Sequence, residues 1–127
     1  EYPTWSPYDD AERRGKEPLI LSEFGNWGLQ ALEPIFEAEG GEPYWFPTGW
    51  DGVVPTGVLE RFEEQKLGRI FQNYADLATA AQWQEYLSLK YEIEEMRLYS
   101  SVAGYVITEF TDLNWECNGL LDFDRAP

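Results

Sequence analysis

The stretch Pro18-Leu19-Ile20-Leu21-Ser22-Glu23-Phe24-Gly25-Asn26-Trp27-Gly28 decides how the chain is read. Its first half is a short apolar run, of the kind that forms a strand buried on both faces. A carboxylate, Glu23, follows at once, and then two glycines, Gly25 and Gly28. In α/β folds a rigid buried strand delivers a reactive group at its C-terminal end, where the loops of the functional face begin. An acid is also common where a chain simply leaves the core. Pattern alone therefore leaves Glu23 between a catalytic and a structural role.

Working outward, Glu1 to Glu17 is polar and proline-punctuated and reads as an approach loop. Beyond the strand, Leu29, Leu32 and Phe36 sit at helical spacing, with Pro34 expected to interrupt them. Gly40-Gly41 opens a loop to about Pro55 that holds Tyr44, Trp45, Phe46 and Trp50. Long structureless loops are often functional, and this aromatic content argues against disorder. Val54 to Phe71 reads as a helix with Pro55 in its first turn. Tyr74 to Leu98 is the clearest helix. Tyr86, Leu89, Ile93 and Met96 recur at helical spacing with Trp83 one turn earlier, a stripe expected to pack on a sheet. Ser100-Ser101 ends it, and Val102 to Phe110 reads as a second strand. Strand, helices, strand is the grammar of a parallel pair. The expectation is thus an α/β chain with parallel strands near 18–23 and 103–110, long crossover helices, and a terminal segment over 113–127.

The totals narrow the chemistry. Nine basic and 24 acidic residues give a net charge of −15, which argues against nucleic acid and anionic membranes as partners. No segment approaches the ~20 apolar residues of a membrane-spanning helix, and no targeting signal is visible. The chain contains no histidine and one cysteine, Cys117, so a Ser-His or Cys-His nucleophile cannot be built from it. Carboxylates remain as the chief acid–base groups, and no cofactor is expected.

Two motifs in order resemble a known family. Pro18 to Gly25 is similar to the nucleophile-bearing strand of family 2 glycoside hydrolases, the β-galactosidase, β-glucuronidase and β-mannosidase group. Ala103-Gly104-Tyr105-Val106-Ile107-Thr108-Glu109-Phe110-Thr111-Asp112, followed by Asn118-Gly119-Leu120-Leu121-Asp122-Phe123-Asp124-Arg125, resembles the last barrel strand of that family and the segment after it. The resemblance spans residues 18–127 and implies a partial (β/α) barrel, the C-terminal portion of the catalytic domain, because 127 residues fall short of the ~250 of a full barrel. It implies a carbohydrate substrate, and the remainder of the barrel or another copy as partner.

In such an enzyme Glu23 is the nucleophile, and the acid/base comes from an earlier strand outside this chain. Retaining hydrolysis needs two carboxyl groups about 5–5.5 Å apart. Glu109 ends the neighbouring strand, and adjacent strands lie about 4.8 Å apart, so an internal Glu23–Glu109 pair is an alternative. Thr108 stands where many family members carry the Trp that floors the sugar site, and Trp27, Trp45 and Trp50 are further substrate-contacting candidates. The glucuronidase-type Asn-Lys pair is missing, which argues against a uronic acid. Asp112, Asn114, Glu116 and Asn118 alternate like a calcium loop, but Cys117 falls at the glycine position and Phe123 at the last ligand position, so no metal is expected. Asn118-Gly119 reads as a turn. A non-catalytic carbohydrate-binding module, with Tyr44, Trp45 and Trp50 as its platform, and an acidic protein-interaction domain are the rival classes.

Overall fold

A computed structural model describes residues 18–25, 28–48, 56–113 and 116–126. Among them, β1 (Leu19–Phe24) and β2 (Val102–Ile107) form a two-stranded parallel sheet. Between the strands in sequence come α1 (Leu32–Glu39), α2 (Val58–Glu64), a 3-10 turn (Leu67–Arg69) and α3 (Tyr74–Met96). The expected parallel pair with a helical crossover is present, in a mixed α/β chain with no closed barrel among the described residues. Leu19 faces Val102, Leu21 faces Tyr105 and Phe24 faces Ile107, with irregular register between these points. The Phe24 and Tyr105 rings meet edge to face at 5.6 Å, fixing the register near the strand ends.

α1 begins at Leu32 and contains Pro34, so the proline does not interrupt it. The residue sits in the first turn, where a backbone N–H has no helical partner to lose. The helix stops at Gly40, whose φ of 74° suits glycine, and the N–H groups of Gly40 and Gly41 both reach the Phe36 carbonyl.

The single helix expected over 54–71 is instead two short pieces. Lys66 adopts a left-handed φ of 57° and separates α2 from the 3-10 turn. The break has a packing reason. Phe62 and Leu67 are about 140° apart around a continuous helix, yet both contact the same core. Pro55 lies outside the described residues.

α3 runs as expected apart from its last residues. Asn73 caps it by accepting the Asp76 N–H at 2.9 Å, and Asp76 reaches back to the Gln72 N–H at 3.2 Å. Its buried face is the expected one only in part. Tyr74, Ala78, Glu85, Leu89 and Met96 are buried. At about 100° per residue these five share a sector about 60° wide, and Trp83 points to the opposite side. Trp83 and Tyr86 are accordingly 61% and 56% exposed. The expected stripe is right at Leu89 and Met96 but takes Trp83 and Tyr86 where the buried face holds Tyr74, Ala78 and Glu85.

The core gathers Leu32, Ile35, Trp45, Phe46, Phe62, Tyr74 and Ala78, with Phe123 from the C-terminal segment packed on it. It lies among the helices and the turn at 43–48, away from the sheet. The sheet is correspondingly bare, with Ile20 57% and Val106 52% exposed. Phe46 is the best-buried ring, in contact with Phe36 and Trp45. Phe46→Ala should cost about 3–5 kcal/mol of stability through lost burial and a residual cavity. Urea unfolding should show a lower midpoint at unchanged slope.

Candidate functional site

Two groups of polar side chains stand out, one at the ends of the strands and one between α3 and the C-terminal segment. The first begins at Glu23, the penultimate residue of β1, which is exposed. Glu23 falls within the register irregularity between Leu21 and Phe24. Just past the strands the Thr108 N–H donates to the Phe24 carbonyl at 2.8 Å, carrying the pairing beyond β2. The Thr108–Glu109 peptide is cis. A Cβ on Gly25 would collide with the Thr108 carbonyl oxygen, so only glycine permits this approach.

The terminal segment then folds back on this junction. Asn118 Nδ2 donates to the Thr108 carbonyl at 3.0 Å, and the Glu109 N–H donates to the Asn118 carbonyl at 3.2 Å. Leu120 N–H returns to the Glu109 carbonyl at 3.1 Å. Glu109 is half-buried. Burial, with Glu116 and Asp112 nearby, raises its carboxyl above the usual range. Glu109 Oε1 and Asn118 Oδ1 are buried and have no hydrogen-bond partner among the described residues. The structure thus brings Glu23, Thr108 and Glu109 to one end of the sheet and adds Asn118, which sequence reasoning took for a turn residue.

Trp45 is elsewhere. Its ring is 6% exposed, stacked on Phe123 at 5.0 Å and part of the core, so it offers no open face to a sugar. The reason is local. The Trp45 and Pro43 carbonyls close the turn at 43–48 by accepting from Thr48 and Phe46, which folds the aromatic cluster inward. Trp27 and Trp50 lie outside the described residues.

The second group was not legible as a site. Glu85 from α3 and Asp112 from the terminal segment are 7% and 8% exposed and line one cavity of about 410 Å³. Burial, then Asp112, pushes the Glu85 carboxyl from 4.5 up to about 7. Asp112 rises to about 6 through burial, partly offset because its Oδ1 accepts the Gly119 N–H at 2.9 Å. Glu85 Oε2 also packs on Gly28, where a Cβ would collide with it. Burial pushes the neighbouring Cys117 thiol up to about 12, so it stays protonated and is a poor nucleophile. Among the described residues no group of three metal-ligating side chains forms. Asp112 of the calcium-like run serves instead as an acceptor for the chain turning at Gly119.

These carboxyl groups set a pH dependence. An acid whose pKa is higher folded than unfolded binds more protons in the native state, so stability falls as pH rises between the two values. For Glu85 that window runs from 4.5 to about 7. Urea midpoints should therefore fall between pH 4.5 and 7.5, and Glu85→Gln should flatten the part of the decline that this residue causes.

The chain matches no protein-family model, no curated protein and no solved structure.

Proposed function

We propose that the chain forms the closing part of the catalytic barrel of a retaining β-glycoside hydrolase of the family 2 type, with Glu23 as nucleophile. The observation that carries this reading is the parallel register of β1 and β2, with Glu23 at the C-terminal end of its strand and exposed. That end of a parallel sheet is where α/β enzymes hold their reacting groups. The bare sheet supports the barrel. Parallel strands are normally covered on both faces, and Ile20 and Val106 lie more than half exposed here. Neighbouring strands and a packed barrel interior, from the remainder of the barrel or another copy, would cover them.

In this reading Glu23 attacks the anomeric carbon as an ionised carboxylate and forms a glycosyl ester. An acid/base carboxyl from an earlier strand protonates the leaving oxygen and then activates water. Thr108, Glu109 and Asn118 lie at the same end of the sheet as Glu23. Glu109 Oε1 and Asn118 Oδ1, without a partner among the described residues, are acceptors suited to sugar hydroxyls. The rival carbohydrate-binding platform loses one of its rings, since Trp45 is buried. Nothing favours a purely acidic interaction domain beyond the net charge of −15.

In the complete enzyme Glu23→Gln should abolish nearly all turnover while substrate binding persists, because an amide cannot form the ester. Glu23→Ala should be rescued by azide with inverted stereochemistry, as the vacated carboxylate leaves room on that face. The 127-residue chain alone should not hydrolyse an aryl glycoside. Robust hydrolysis by it, abolished by Glu109→Gln, would replace this assignment with the internal Glu23–Glu109 pair.

A further inference from the structure

We propose that the cavity between α3 and the C-terminal segment binds an organic cation, a guanidinium or primary ammonium group, with Glu85 and Asp112 as its anionic wall and Tyr86 at its rim. Both residues are more than nine-tenths buried, and both line the same space of about 410 Å³. Glu85 Oε1 has no hydrogen-bond partner among the described residues. Asp122 is a third acid in the lining, and no Lys or Arg is among the described residues there. Lys90, one turn along α3, is held by Glu94 at 2.5 Å. Buried carboxyl groups without a counter-charge are costly, and a guest that supplies positive charge and N–H donors removes that cost.

The size and lining select among guests. The space is large for a bare metal ion, and no three-ligand cluster forms among the described residues. A neutral polyol would leave the acids uncompensated. The rim favours an organic cation. Tyr86 lines this cavity and an adjoining one of about 310 Å³, where Trp83 meets it edge to face at 5.6 Å. Both rings are more than half exposed, and aromatic faces attract ammonium and guanidinium groups. The groups facing the guest are Glu85 and Tyr86 on the helix, and Asp112, Cys117 and Asp122 on the terminal segment. Glu116 stands close to Cys117. All are acidic or neutral at pH 7. The site does not depend on Glu23, which lies at the strand ends.

Calorimetry of the whole chain with n-butylguanidinium tests the proposal, with neutral n-butylurea and calcium chloride as comparison titrants. The expected result is saturable one-site binding of the guanidinium alone, weakening roughly tenfold or more from pH 7.5 to pH 5 as the carboxyl groups take up protons. Glu85→Gln and Asp112→Asn should each weaken it roughly tenfold. Tyr86→Ala, at an exposed position that leaves the core intact, should weaken it severalfold. It keeps the test valid if the buried variants fail to fold. Absence of guanidinium binding, equal binding of the urea, preference for calcium, or affinity unchanged in Tyr86→Ala and in whichever buried-acid variants fold would each overturn the assignment.

Discussion

The structure hangs on the peptide at Thr108. Its N–H continues the parallel pairing to Phe24, its carbonyl receives Asn118 Nδ2, and its oxygen lies against the bare Cα of Gly25. One residue therefore joins the exit of β1, the exit of β2 and the returning terminal segment. Parallel pairing demands a long crossover, because the chain must travel back before the second strand can start. Here that crossover is the whole helical layer. Closing so long a loop is entropically unfavourable, and the contacts at Thr108 and the core at Phe46 hold it shut.

What was legible in the sequence follows from how each signal arises. The strands were legible because their apolar runs are short and bounded, and α3 because its length and Asn73 cap are local properties. The buried face of α3 was not, because burial of Glu85 depends on Asp112 and Gly28, which are remote in sequence. The spacing of Tyr74, Ala78, Leu89 and Met96 does contain the right stripe. Only the assumption that a glutamate faces solvent hides the fifth member. Pro34 and Lys66 make the same point for the backbone. A proline in a first turn and a lysine in the left-handed region are decided by where the neighbouring segments pack.

The same logic separates the aromatic residues. Trp45 belongs to a turn that closes on itself and so faces inward. Trp83 and Tyr86 belong to the strongest helix, where an apolar residue is ordinarily core, and yet they are exposed. Their positions are fixed by helical phase once Glu85 and Leu89 are buried.

Glu23 and Glu85 show how one side chain meets two opposite environments in the same fold. Glu23 stands exposed at the end of its strand. Glu85 is removed from water beside another acid, so its charged form is costly. Gly28 links the two regions. It follows the β1 exit by a few residues, donates its N–H to the Cys117 carbonyl at 2.7 Å and packs against Glu85 Oε2. Glu85 thus bears on the segment that leaves β1 through a contact with no Cβ to cushion it.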